Sequence, residues 1–268
     1  MIVPSWARLS LRTFVLIYLA ILLLAPVGLI FYRTFEPGLG AVWDSITTPE
    51  AKSAFWLTIK ITLIAVPLNT IFGVLLALIL ERKQFRGKAL LNTIIDLPFA
   101  ISPVVIGLSL LLVYSINEPV GGWLADRGIR VMFSMPGMVL ATMFVIVPFV
   151  VREVAPVLDE VGDEQEQAAA TLGASGWQSF WRITLPSIRW GVAYGVVLST
   201  ARAIGEFGAV SVVSGKLVGK TQTLTLLVGE RYGNFDVHGA YVASGLLALI
   251  ALVTLLAMTL INPRREHA

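Results

Sequence analysis

Six runs of mostly apolar residues divide the chain, at about 13–33, 56–80, 94–116, 134–152, 190–212 and 239–261. A helix needs roughly 20 apolar residues to cross the hydrocarbon layer of a bilayer, so each run reads as one membrane-spanning helix. The third and fourth are interrupted by Pro98, Pro103, Pro136 and Pro148. Proline survives inside a span where neighbouring helices satisfy the carbonyls it frees, so the interruptions predict a packed bundle and not a set of lone anchors. Between the runs lie polar segments rich in breakers: 34–55, 117–133 and 213–238 on one side, and the short turn 81–88 and the long segment 153–189 on the other. The first run is too long for a cleaved leader, and Phe31-Tyr32-Arg33 is a poor cleavage site, so it reads as an uncleaved span. The expected fold class is all-α, a polytopic membrane protein of six helices in a single domain over residues 1–268.

The segment from Glu164 to Pro186, EQEQAAATLGASGWQSFWRITLP, departs most from this pattern. Asp163 to Leu172 contains good helix formers, with acidic residues in the first turn where the macrodipole favours them. Gly173 suits the left-handed residue that ends a helix. Trp177, Phe180, Trp181, Ile183 and Leu185 then form an apolar stripe that ends at Pro186. A helix with Ala168, Ala169 and Ala170 can press closely into a groove on another protein. Resting on lipid headgroups is the alternative. Glu153, Asp159, Glu160, Asp163, Glu164 and Glu166 argue against it, because the cytoplasmic leaflet is itself negative. The segment is expected to dock a partner.

Composition narrows the function. A chain of 268 residues with 56% hydrophobic and 14% charged side chains, and a mean hydropathy of +0.81, lies outside the range of soluble domains. The absence of cysteine excludes disulfides and thiolate metal sites. His238 and His267 alone offer little to a metal, so no metal site and no cofactor are expected. No nucleophile has a histidine near it in the sequence, which argues against an enzyme. The net charge of +3 is small, and its placement is more informative. With both termini inside, the inner segments hold Arg8, Arg12, Arg82, Lys83, Arg86, Lys88, Arg152, Arg182, Arg189, Arg264 and Arg265, eleven cations against seven in the outer loops. The run ERKQFRGK at 81–88 makes the local bias strong, so both termini are expected in the cytoplasm. The basic clusters are topology signals, and no nucleic-acid partner is expected.

Of the charged residues within the runs, Asp96, Arg202 and Glu206 bear on function. Asp96 stands two residues before Pro98, where it reads as the cap of a helix start, with a proton-carrier role as the alternative. Arg202 and Glu206 are four residues apart on one helical face, one turn beyond Ser199. They either neutralise each other or leave Arg202 open to an anion, and pairing is the commoner state of charges within a membrane. Gly205 and Gly208 beside them permit close helix approach. Ser199, Thr200, Ser211 and Ser214 make this span the richest in hydroxyls, and hydroxyls can replace part of an anion's hydration shell. The span is expected to line a transport path.

These features together resemble a known family. Permeases of ATP-binding-cassette importers carry a cytoplasmic motif of Glu-Ala-Ala, three residues, Gly, nine residues, Ile, one residue and Leu-Pro. Ala168, Ala169, Gly173, Ile183, Leu185 and Pro186 fall on that spacing without a gap. Gln167 stands where the family usually has Glu, with Glu166 one residue early. ARAIGEFGAVSVVSG at 201–215 and the following GKTQTLTLLV resemble the sulfate and molybdate branch, and within it the W-type of the two sulfate/thiosulfate permease subunits. Thr225 departs from the proline common in that branch.

The resemblance implies a permease that is not itself an enzyme. It would pair with a second permease subunit of a different sequence above two ATP-binding-cassette ATPase subunits. A periplasmic sulfate/thiosulfate-binding protein would deliver the anion, and alternating access would move it. Glu166, Gln167, Ala168, Ala169, Gly173, Ile183, Leu185 and Pro186 would couple to the ATPase. Ser199, Thr200, Arg202, Glu206, Ser211 and Ser214 would line the anion path. Molybdate or tungstate is the alternative cargo. A transporter driven by an ion gradient through Asp96, Arg202 and Glu206 is a further alternative, disfavoured because no inverted repeat with broken helices is visible.

Overall fold

The structure is a computed structural model that describes residues 5–261. Arg264, Arg265 and His267 lie outside the described residues. In chain order the helices are α1 (Ser5–Leu19), α2 (Ala25–Phe35), α3 (Leu39–Thr47), α4 (Pro49–Arg82), α5 (Lys88–Ala100), α6 (Pro103–Tyr114) and α7 (Pro119–Ala125). They continue with α8 (Met135–Val161), α9 (Glu164–Thr171), α10 (Gly176–Ser179), α11 (Leu185–Ile204), α12 (Gly208–Val213), α13 (Leu224–Gly233) and α14 (Val237–Ile261). π-turns at Ala20–Leu24 and Phe180–Thr184 join α1 to α2 and α10 to α11 without a break. Each π-turn ends two residues before a proline, Pro26 and Pro186. Proline lacks the N–H of an ordinary turn and its ring crowds the carbonyl four residues back, and a widened turn accommodates both. Pro186 therefore does not end the apolar stripe, as the sequence suggested; the helix runs through it.

Residues 11–35, 49–82, 135–161 and 237–256 form helices long and apolar enough to cross a membrane. The second and fourth expected runs are longer than their apolar cores, because α4 starts at Pro49 and α8 continues to Val161. The expected spans 94–116 and 190–212 are not single helices. The first bends by 112° between α5 and α6. Ser102, which precedes Pro103, is extended (ψ 134°), as the proline ring requires of its predecessor. The second ends at Ile204 and resumes as α12. The two breaks pack on each other: a Cβ on Gly208 would lie 2.8 Å from Pro103 Cβ, and one on Gly107 2.7 Å from the Ala209 carbonyl. Gly208 thus supports a close approach as expected, whereas a Cβ on Gly205 would meet only its own helix, at 3.6 Å.

The centre of the bundle is α4, α8 and α11. Val150 sits between two glycines: a Cβ on Gly73 would lie 2.6 Å from Val150 Cβ, and one on Gly195 2.9 Å from Val150 Cα. Small residues let helix backbones approach this closely, which replaces the hydrophobic drive that lipid cannot supply. Around this contact Val74, Leu80, Val154, Leu158 and Ile188 close one core cluster. Leu57, Ile106, Met138 and Val210 close another around the two breaks. By contrast, the apolar stretch of 11–35 buries almost nothing against the rest of the chain.

The segments expected as outer loops are largely folded. Residues 34–55 carry α3 and the start of α4, 117–133 carry α7, and 213–238 carry α13. In the last of these, Thr221, Gln222 and Thr223 are buried, and the Leu224 N–H donates to Thr58 Oγ1 at 2.9 Å. Thr58 thus anchors the start of α13 to α4. At the same end, Arg231 donates to the Ser45 carbonyl and side chain, Thr48 Oγ1 and the Gly239 carbonyl, at 2.8–3.1 Å.

A candidate docking element and two membrane-level ion pairs

The polar segment begins later than its charge pattern implied, at Gly162 (φ 68°), because α8 persists through Arg152 and Glu153 to Val161. α9 then forms over Glu164–Thr171, as expected. It ends in a Schellman motif: the Ala174 N–H donates to the Ala169 carbonyl and the Gly173 N–H to the Ala170 carbonyl, both at 3.0 Å. Gly173 has φ +84° and open space around its Cα, so its backbone conformation, not crowding, is what favours glycine there. Ser175 and Gln178 then form a capping box, with the Gln178 N–H donating to Ser175 Oγ at 3.3 Å and the Ser175 N–H to Gln178 Oε1 at 2.9 Å. Trp177, Phe180 and Trp181 stack and meet edge-to-face with ring centroids 5.3–6.3 Å apart.

The two sides of α9 differ. Gln167, Ala168 and Ala170 are exposed, and Leu172 at its end is 88% exposed. Glu166 is turned inward, onto Arg82 at the end of α4. Arg82 Nε donates to Glu166 Oε2 at 3.1 Å and Nη2 to Oε1 at 3.3 Å. The same guanidinium donates to the Leu158 carbonyl at 3.0 Å and the Gly162 carbonyl at 2.6 Å. Thr184, in the second π-turn, donates its hydroxyl to Glu166 Oε1 at 2.8 Å. Ile183 and Leu185 are half-buried, and Pro186 is exposed.

Arg202 and Glu206 meet as the pairing alternative requires, with Arg202 Nη1 2.6 Å from Glu206 Oε2. The approach is off the axis of a hydrogen bond, so Oε2 has a counter-charge but no aligned donor among the described residues. Oε1 accepts the Ala209 N–H at 2.8 Å and so holds the first turn of α12. The Glu206 side chain is 1% exposed and that of Arg202 31%, so the carboxylate is sealed while the arginine stays partly open. Thr225, the departure from the branch pattern, donates its hydroxyl to the Glu206 carbonyl at 2.8 Å, a bond that proline could not make.

The four hydroxyl residues of this region separate. Thr200 and Ser211 are half-buried, and their hydroxyls donate to the Val196 and Gly208 carbonyls at 2.7 Å. Ser199 and Ser214 are fully buried within the chain; Ser199 Oγ has no hydrogen-bond partner among the described residues, and Ser214 Oγ accepts the Lys216 N–H at 3.1 Å. A cavity of about 10 Å³ beside Glu206, lined by Thr58, Thr142 and Thr223, has room for one water at most.

Asp96 is not a cap. α5 begins eight residues earlier, after Gly87 in a left-handed conformation (φ 100°). The carboxylate instead receives Arg152 of α8, whose Nε is 2.8 Å from Oδ1, and Arg152 Nη2 also reaches Asn92 Oδ1 at 3.0 Å. The Asp-x-Pro pattern is local, whereas its partner lies far along the chain. Asp96 and Arg152 keep 46% and 37% of their side chains exposed.

The sequence profile of the "Binding-protein-dependent transport system inner membrane component" family matches residues 69–267. The chain is 50% identical over 252 residues to the sulfate transport system permease protein CysW of Synechocystis sp., covering 94% of this chain and 91% of that one. It is 37% identical over 249 residues to the sulfate transport system permease protein CysT of Escherichia coli, covering 93% and 90%. A crystal structure of a bacterial ABC transporter that imports the acidic polysaccharide alginate shares its fold, with a TM-score of 0.78, 17% identity, and coverage of 98% and 96%. The chain belongs to the family of binding-protein-dependent transport system inner membrane components.

Proposed function

We propose that this permease carries sulfate or thiosulfate inward, as one of two different permease subunits driven by two ATP-binding-cassette ATPases and fed by a periplasmic binding protein. Its similarity to CysW exceeds that to CysT at nearly equal coverage, which supports a W-type subunit with a T-type partner. Six spans follow if the bent pair α5–α6 counts as one and α11 as another. Both termini then lie in the cytoplasm, together with α9. A bare dianion in hydrocarbon would cost tens of kcal/mol, so the anion must move along a hydrated protein path with alternating gates. The partly open side chain of Arg202, with Thr200 and Ser211 nearby in sequence, would line that path; Glu206, Ser199 and Ser214 would shape it from behind.

The observation that carries the docking role is α9 itself, a short helix with an exposed face of small and polar residues and an exposed Leu172 on a Gly173 stop. The face that would meet the ATPase holds Glu164, Gln167, Ala168 and Leu172, while Glu166 is engaged within the chain, so the charge that α9 offers a partner is Glu164 and not Glu166. Gly173→Asp places an L-residue where φ is positive. We expect it to insert normally, to lose the ATPase subunits in mild detergent and to lose radiolabelled sulfate uptake. Full uptake with the ATPase retained would refute the docking role.

A further inference from the structure

We propose that Arg82 and Glu166 form the link that makes the docking helix α9 move as one body with α4 and α8, so that ATPase motion reaches the membrane helices through this pair. The inference rests on the docking role of α9. The apolar contact between α9 and α4 is thin. A groove of about 380 Å³ runs between them, with Leu78, Ile79 and Arg82 on the α4 side and Ala170 and Ala174 on the other. Ala170 and Ala174 leave the α9 side of the groove unfilled, and the large apolar side chain in its lining beyond α4, Phe180, belongs to the second π-turn, so α9 itself has little apolar packing through which to transmit force. What spans it is one guanidinium, with four hydrogen bonds to three chain segments.

The bond set exceeds what a helix cap needs. A cation at the end of α8 has reason to bind the Leu158 and Gly162 carbonyls, because the helix dipole is negative there. That alone would call for neither a carboxylate on α9 nor the Thr184 hydroxyl on that carboxylate. The planar fork of arginine can hold carbonyls and carboxylate in one fixed geometry, which lysine cannot. The Thr184 bond ties in the π-turn that leads into α11. Displacement of α9 along its axis therefore pulls on the ends of α4 and α8 and on the start of α11 together, and α4, α8 and α11 are the helices packed around Val150.

The test uses the assembled transporter in lipid vesicles, with both permeases, the ATPases and the binding protein, and reads sulfate taken up per ATP hydrolysed. Glu166→Gln is nearly isosteric, leaves Arg82 on both carbonyls and can still accept from Thr184. We expect its uptake per ATP to fall about tenfold, within the usual 5–150-fold range of coupling between sites. Arg82→Lys is expected to fall further, since one ammonium cannot hold all four acceptors. An unchanged ratio in Glu166→Gln would reduce Arg82 to a cap of α8 and overturn the proposal. The Gly173→Asp control separates the two readings. If it retains ATPase and uptake, the docking role fails; if it loses both while Glu166→Gln keeps the normal ratio, only the link fails.

Discussion

Glu206 and Glu166 each lie within 3.1 Å of an arginine, yet their surroundings give them different work. Glu206 is sealed at 1% exposure, with one misaligned guanidinium and one backbone N–H. Glu166 keeps a quarter of its side chain in solvent and has aligned bonds from Arg82 and Thr184. A buried carboxylate has no water to fall back on, so its environment must be kept intact and its loss would be felt as stability. A partly solvated one is cheaper to release, so its loss would be felt in what it connects. The first belongs to the scaffold at the break between α11 and α12, and the second joins an exposed helix to that scaffold.

The largest effect should come from stranding the sealed carboxylate. Arg202→Ala leaves Glu206 charged and without a counter-ion, which typically costs about 3–5 kcal/mol. It should lower the unfolding temperature in detergent more than any other substitution named here. The double variant Arg202→Gln/Glu206→Gln removes both charges and keeps an acceptor for the Ala209 N–H. It should recover most of that stability, since replacing a buried pair outright is often neutral. If Arg202 also meets the anion, the double variant stays folded but loses uptake. Normal uptake in that variant would confine Arg202 to the scaffold.

How much of this contrast the sequence discloses depends on how far apart the partners are. The apolar runs, α9 and the left-handed Gly173 follow from neighbours within a turn or two, and all are legible. The i,i+4 pair of Arg202 with Glu206 is legible for the same reason, although the helix ends between the two. The Ser175–Gln178 capping box has its own local signal, Ser-x-x-Gln ahead of an apolar run, which the aromatic stripe over 177–185 masks. The break after Ala100 has a local signal in Pro103, which the sequence shows only as an interruption of one span. The break after Ile204 has no proline beside it and packs against the first through Gly208 on Pro103 and Gly107 on Ala209, about 100 positions apart in the chain. Arg82 reaches Glu166 across 84 positions and Arg152 reaches Asp96 across 56, so neither carboxylate announces its partner.

A smaller effect should separate Glu206's backbone from its charge. Thr225 lies in the first turn of α13, where proline fits the helix. Thr225→Pro therefore loses the hydroxyl's bonds to the Glu206 carbonyl and to Thr223 Oγ1, about 1 kcal/mol each. The expected shift in unfolding temperature is modest, with uptake per ATP unchanged. A loss as large as that of Arg202→Ala would mean that the bond to its carbonyl, and not the guanidinium, holds Glu206 in place.

The smallest effect should come from the third pair, which extends the contrast to its exposed limit. Asp96 and Arg152 are bidentate and well aligned, but both keep more than a third of their side chains open, and exposed pairs contribute at most about 1 kcal/mol. Asp96→Asn removes the charge and keeps an acceptor for Arg152, which also retains Asn92. Thermal stability should hardly change. An ion pair facing lipid would be costly, so a half-open pair between two membrane helices belongs against water or against another subunit. Those two settings give opposite results on raising the salt concentration. A pair against water is screened, and wild type and Asp96→Asn should converge in stability. A pair covered by the second permease keeps its full difference in the assembled transporter and loses it when the chain is purified alone.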